Sequence, residues 1–285
     1  MPTADLLDHA PMEMTVVREI SLAINAAHRI TYLATETAEE AAKLGVRDHG
    51  PGGPAYFAFR SAAMGAVPWQ VTLATFYNFS PRAVHAMAGV WDTASPRQWQ
   101  SARFVVADRV LQRIGVHLSA GHITEARSLI DPVVARADYA GKPLAAANAA
   151  VTLPPDPLVA LWQQITVLRE WRGDAHLVVL ADNRLGPCDC TVMQTATGRL
   201  PTMMMRTTRQ WNDDEWAAAT ARLIARGWLN ADGTVTDAGA AARERIEIET
   251  DEHCATLWSP IGNAGARRLA ALIAPIDELF TSAVR

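Results

Sequence analysis

Apolar residues recur three and four positions apart through residues 16–33, 98–114, 158–171 and 215–224, the spacing that lines one face of an α-helix. The chain is therefore expected to be mostly α. Strand signals are confined to short stretches beside turn residues, chiefly Trp228-Leu229 and Thr234 to Thr236 around Asn230-Ala231-Asp232-Gly233. That pattern predicts a β-hairpin turning at Asp232-Gly233, followed by a helix capped at Thr236.

The pattern also occurs twice. MGAVPWQVTLATFYNFSPRAVHAMAGVW, from Met64, lies beside LGPCDCTVMQTATGRLPTMMMRTTRQW, from Leu185, and matches Gly65 with Gly186, Pro81 with Pro201 and Trp91 with Trp211. A second block follows each copy, IGVHLSAGHITEA from Ile114 and RGWLNADGTVTDA from Arg226, pairing Gly115 with Gly227, Gly121 with Gly233 and Thr124 with Thr236. Helix, turn, helix, turn, helix, two-stranded ribbon and helix is the order of a winged helix. The expected fold is thus mostly α, two tandem winged-helix-like repeats with short β-hairpin wings, forming an intramolecular pseudo-dimer. Helices 16–33 and 158–171, one before each copy, would pack the halves together.

Composition adds boundaries. With 285 residues and 49% apolar content the chain can build one large or two ordinary cores. Helix breakers gather from Gly141-Lys142-Pro143 to Leu153-Pro154-Pro155-Asp156-Pro157, which predicts a first repeat over 1–140, a linker over 141–156 and a second repeat over 157–285. The start lacks a charged segment followed by an apolar one, and no run approaches the roughly 18 apolar residues of a membrane span. A cytoplasmic protein with no membrane partner is expected, and three cysteines, an odd number, fit a reducing compartment better than a disulfide framework.

A net charge of -4 gives no basic field for a polyanion. The helix in the recognition position of the second copy opens Trp211-Asn212-Asp213-Asp214-Glu215-Trp216, and its carboxylates would repel DNA phosphates, although they also suit a helix N-terminus. In the first copy Arg97, Arg103, Arg109 and Arg113 could touch phosphate, and Arg199, Arg206 and Arg209 keep a regulatory role open. DNA is the disfavoured partner.

Polar residues present in one copy alone are the better site candidates, because the shared scaffold does not need them. His28, Tyr32 and Glu36 follow at i, i+4 spacing and would share a helical face flanked by Ile30 and Leu33; a surface or interface stripe is the plain alternative. Tyr56 and Arg60 form a second such pair, opposite Leu177 and Ala181 in the alignment. Arg60 suits a carboxylate or phosphate and Tyr56 a hydrogen bond or proton transfer, with a buried structural network as the alternative. Tyr77 and Asn78 stand at the turn before Pro81. His176 follows Asp174, a residue able to orient its imidazole or to cap a helix, and is a candidate general base, metal ligand or haem ligand. The candidate catalytic groups are therefore His28, Tyr56 and His176, and the candidate ligand-binding groups Tyr32, Arg60, Tyr77 and Asn78. Cys188-Asp189-Cys190 does not have a zinc spacing, and its cysteines oppose Val67 and Trp69, so core positions rather than a metal site are expected. No glycine-rich phosphate loop, nucleophile elbow or HExxH motif occurs, so the familiar signatures of NAD, ATP, hydrolase and zincin chemistry are absent and the cofactor is left unknown, haem included.

HRITYLATE from His28, YFAFRSAAMG from Tyr56, TFYNFSP from Thr75, LREWRGDAH from Leu168 and ARGWLNADGTVTDAG from Ala225 resemble an actinobacterial family of helix-turn-helix-containing proteins, some of them in natural-product gene clusters. The resemblance covers nearly the whole chain and implies the two-copy α-rich fold, but brings no activity or site residues. The expected function is a small-molecule-binding protein, with the question of an enzyme of specialised metabolism left open, whose cavity lies between the halves. A ligand-responsive transcriptional regulator is the alternative, and the duplicated scaffold is compatible with a homodimer.

Overall fold

The structure is a computed structural model that describes residues 11–32, 34–47, 50, 52–116 and 118–283. In chain order its helices are α1 (Met14–His28), α2 (Thr35–Lys43), α3 (Pro54–Ser61), α4 (Trp69–Phe76), α5 (Pro81–His85), α6 (Val90–Thr93), α7 (Pro96–Arg113), α8 (Ala120–Arg136), α9 (Pro143–Ala149), α10 (Pro157–Asp182), α11 (Pro187–Ala196), α12 (Thr202–Arg209), α13 (Asp213–Ala225), α14 (Asp237–Trp258) and α15 (Gly262–Ala283). None of the described helices is long and apolar enough to cross a membrane.

α10 is the central strut. Asp156 caps it by accepting from the Leu158 and Val159 amides, Pro157 sits in its first turn, and residues 159–168 are buried without a break. A helix buried on all sides belongs in the middle of a fold. α1, α7, α8, α9 and α14 pack around it. The larger apolar cluster joins α1, α3, α7, α8 and α15 to the first half of α10 and the end of α14. A smaller one joins the end of α10, from Val179, to α11, α13 and the start of α14. α10 and α14 thus run through both.

The β-hairpin wings do not form as expected. Among the described residues pairing is reduced to a single antiparallel bridge between Leu229 and Val235, closed by the Asn230 amide on the Thr234 carbonyl at 2.8 Å. Thr236 already caps α14 through the Gly239 amide, so no residue is left to lengthen a strand. In the first copy Ser119 caps α8, which places Gly121 and Thr124 inside a helix rather than in a ribbon. Gly115 and Gly227 do correspond, each at φ 71° after its helix, whereas Gly65 at φ 82° and Gly186 at φ -65° do not.

The helix expected over 16–33 stops at His28, gives way to a 3₁₀ turn over Arg29–Thr31, and restarts as α2. His28, Tyr32 and Glu36 therefore do not share one helical face. Glu36 turns away to Arg113, 2.5 Å from its Nε, and Leu33 lies outside the described residues.

Candidate functional site

The functional candidate grows from the polar stripe on α10. Arg169, Gly173 and His176 follow at i, i+4 and i+7, with Glu170 and Asp174 beside them, on a helix whose buried positions are mostly apolar apart from Gln163, Gln164 and Thr166.

Glu170 is the hub. Its side chain is 2% exposed and accepts from Arg60 Nη2 at 2.7 and 2.8 Å and from Arg169 Nη1 at 2.5 Å. Burial alone would raise this carboxyl, but Arg169 and Arg60 outweigh it and hold it well below the usual carboxylate range. Burial likewise works against the Arg60 charge, and Glu170 reverses that effect. Arg60 Nη1 donates to the Tyr56 hydroxyl at 2.8 Å, and the guanidinium lies 4.4 Å from the Phe76 ring centroid and 5.3 Å from that of Tyr32.

His28 joins this network as a neutral imidazole. Burial drives its pKa well below the ordinary value, against the opposing pull of Glu170, whose oxygen at 3.8 Å is too far for a hydrogen bond. Its tautomer follows from counting protons. The Thr166 hydroxyl gives its one hydrogen to the Trp162 carbonyl at 3.0 Å, so it can only accept from His28 Nδ1, 3.1 Å away. Nε2 then accepts from the Tyr32 hydroxyl. Burial pushes Tyr32 up to about 12, which keeps that hydroxyl protonated. His28, Tyr32, Tyr56 and Arg60 are thus brought into one buried network, as candidates from sequence spacing. Glu170 and Arg169, which organise it, were not among those candidates.

His176 repeats the arrangement farther along α10. The Thr250 hydroxyl donates to the Ile246 carbonyl at 2.7 Å and accepts from His176 Nδ1 at 2.8 Å, leaving the Nε2 lone pair without a donor among the described residues. Burial lowers the pKa from 6.5 to about 3, so the ring is a neutral acceptor.

Two cavities flank α10. The first, about 330 Å³, is lined by Tyr56, Arg60, Tyr77, Asn78 and His176 together with Arg169, Glu170 and Arg209. The second, about 370 Å³, is lined by Arg169, Arg172, His176, Arg199, Arg243 and Glu247. Arg169, Gly173 and His176 border both, so the two form one cleft divided by a saddle.

Tyr77 and Asn78 hold the walls of this cleft together. Tyr77 ends α4 at φ 49°, a left-handed conformation rare for a bulky residue, and its hydroxyl donates to the Leu185 carbonyl at 2.7 Å. The Asn78 carbonyl accepts from Trp211 Nε1 at 3.1 Å. Across the same gap the Ser80 amide donates to the Arg209 carbonyl at 3.0 Å.

Charge in the cleft is unbalanced. Glu247 carries Arg243, Arg172 at 2.9 Å and Arg199 at 3.1 Å, and despite burial these cations bring it down to about 2. Arg209 has no carboxylate partner among the described residues; it donates to the Thr208 hydroxyl and lies 4.3 Å from the Phe79 centroid. Among the described residues the Nε atoms of Arg60, Arg172 and Arg209, and Nη1 of Arg243, are buried without a partner. Such N–H groups can donate to a water or to an anion's oxygen.

Of the expected DNA-contacting arginines, Arg103, Arg109, Arg113 and Arg206 are otherwise engaged. Arg103 is buried, bonded to Asn148 at 3.1 Å and placed 4.9 Å from the Trp162 centroid, while Arg109 and Arg113 pair with glutamates of α2. Arg206 pairs with Asp213, and Arg82 of α5 pairs with Glu215. Cys188 and Cys190 are buried in the smaller cluster, where burial pushes both thiols up to about 12. Among the described residues no three of His, Cys, Asp and Glu are placed to hold a metal ion.

Among the described residues the protein is helical, with a cationic, partly buried cleft along α10. The chain belongs to a helix-turn-helix family, whose sequence model matches residues 17–284. No curated protein and no solved structure matches it.

Proposed function

We propose that the protein binds an anionic small molecule in the cleft along α10, between two reduced winged-helix-like units. One observation carries this reading: Arg60, Arg169, Arg172, Arg199, Arg209 and Arg243 line the two cavities against the carboxylates Glu170, Asp174 and Glu247, with Asp251, outside the lining, also pairing Arg172 at 3.1 Å. A partly desolvated surplus of guanidinium groups is costly without a counter-ion, and a bound carboxylate or phosphate would supply one. Placement between arms is also where ligand sites favour forming. If the protein is an enzyme of specialised metabolism, its acid–base group is His176, whose Nε2 is the unengaged imidazole lone pair at the cleft.

The two-unit part of the proposal is supported by element order. Apart from the short α6, which has no counterpart, α4, α5, α7 and α8 run in the same order as α11, α12, α13 and α14, and both α7 and α13 open with a capping box, Ser95 with Gln98 and Asn212 with Glu215. The cleft lies within one chain, so the reading needs no homodimer.

Titration calorimetry with small carboxylates, phosphates and matched amines tests it. Anions should bind and amines should not, and Arg209→Ala should weaken the anions about tenfold or more. Absence of anion binding, or indifference to Arg209→Ala, would overturn it.

DNA binding is the second reading, favoured by membership of a helix-turn-helix family. The surface of α13 opposes it: Ala217, Ala218, Ala221 and Ala225 are exposed beside Asp213 and Asp214, and Arg222 is tied to Asp189 at 2.6 Å. That face offers little to base edges.

A further inference from the structure

The border between the two lobes includes one residue without a side chain, Gly173. Gly173 lies inside the 26-residue helix α10, where glycine costs backbone entropy and helix propensity. Packing does not ask for it. A Cβ there would meet only the Arg169 guanidinium at 3.5 Å and the Glu170 carboxylate at 3.6 Å, both ordinary contacts. No backbone crosses close by, and φ is not in the left-handed region. Gly173 borders both cavities, together with Asn25, Arg169, His176, Gln194 and Leu200, and is the one residue of that shared border that adds no side chain to it.

Each lobe also has its own cationic end. On one side Arg209 lacks a carboxylate and its Nε is buried without a partner. On the other, Arg243 is only 6% exposed and its Nη1 has no partner, while Arg172 and Arg199 share Glu247 with it. A compact monoanion could satisfy one end only.

Resting on the reading of the cleft as an anion site, we infer that the ligand is elongated, with an anionic group at each end and a slender middle that crosses α10 over Gly173. Arg209 receives one terminus and the Arg199–Arg243 side the other, with the middle passing His176. Gly173 is then a specificity-determining residue, since it sets whether a ligand can occupy both lobes at once. The terminal groups are carboxylates or phosphates, which the same guanidinium forks accept.

The experiment compares straight-chain α,ω-dicarboxylates from six to twelve carbons with the monocarboxylates of equal length by calorimetry, then repeats the best length as its α,ω-bisphosphate. At one length the dianion should bind about tenfold or more tighter than the monoanion, because linked groups gain effective concentration when the span fits. The better of the carboxylate and phosphate pairs tells which terminal group the site is built for. Gly173→Leu should abolish the dianion's advantage, and Gly173→Ala should reduce it less. If circular dichroism shows Gly173→Leu unfolded, Arg199→Ala and Arg209→Ala replace it, each reducing the dianion to monoanion affinity. Dianions that never exceed monoanions, or an advantage that survives these substitutions, would overturn the inference while leaving the anion site intact. Failure of the wild-type protein to bind any of the anions would overturn both.

Discussion

Glu170 neutralises two guanidinium groups where almost no water reaches, so its removal does more than delete hydrogen bonds. Glu170→Gln keeps the shape but strands the charges of Arg60 and Arg169, and breaking such a buried pair costs about 3–5 kcal/mol. Urea unfolding should show that loss, and the double variant Arg60→Met, Glu170→Gln should recover part of it by removing one of the stranded cations. Titration gives a second expectation at this scale. His28 and His176 are held neutral by burial, His176 moving from 6.5 to about 3. A depressed histidine contributes stability above its unfolded value, and loses it as pH falls below 6.5. Asp174, raised by burial from 3.8 to about 6, has the opposite sign and favours the fold as pH falls through that window. Each group changes stability by about 1.4 kcal/mol per pH unit once its two pKa values bracket the pH. Two against one predicts a net loss of about that size per unit from pH 6 to 5, and His176→Asn should flatten the profile. The i, i+4 spacing and absence from the second copy pointed to His28, Tyr32, Tyr56 and Arg60. Glu170 stayed hidden because its partner Arg60 is 110 positions away, a pairing that no local pattern encodes.

At the scale of elements, three glycines should respond in opposite directions to the same added methyl. In Gly239 a Cβ would sit 2.1 Å from the Trp228 carbonyl oxygen, and in Gly52, at φ 90°, 2.2 Å from that of Thr208. Both neighbours are backbone and cannot swing aside, so the start of α14 must move off the bridge segment, or the segment before α3 off the end of α12. Gly239→Ala and Gly52→Ala should therefore each destabilise by about 1–3 kcal/mol through overpacking, measured by thermal or urea unfolding. Gly173→Ala meets only ordinary contacts and should be neutral or stabilising by about 0.5–1 kcal/mol. The same local geometry explains how far the elements were legible. The turn at Asp232-Gly233 and the Thr236 cap are local events written in adjacent residues, and they formed. Strand length depends on how soon the next helix begins, and a cap one residue after Val235 left only a bridge. The break after His28 was illegible for a related reason: apolar spacing continues through a 3₁₀ turn as readily as through a helix.

At the scale of the whole molecule, the cleft stands where two apolar clusters meet, and α10 and α14 belong to both. A ligand seated there touches side chains from α3, α10, α11 and α14 together, so its binding energy opposes unfolding of the entire chain. For a ligand at one hundred times its Kd the stabilisation is about 2.7 kcal/mol, and it grows with concentration by mass action. DNA should give no such response. The net charge is -4, the exposed face of α13 is alanine beside two aspartates, and the arginines of α7 at positions 109 and 113 are spent on α2. Counter-ion release requires cations that are free to meet phosphates, so duplex DNA at about 50 mM salt should neither shift in a gel nor raise the melting temperature. A salt-dependent complex with DNA, lost on Arg97→Ala or Arg226→Ala and accompanied by no anion-induced stabilisation, would favour the DNA-binding reading instead. Stabilisation by an anion without DNA binding would instead make the helix-turn-helix arms the walls of a binding site.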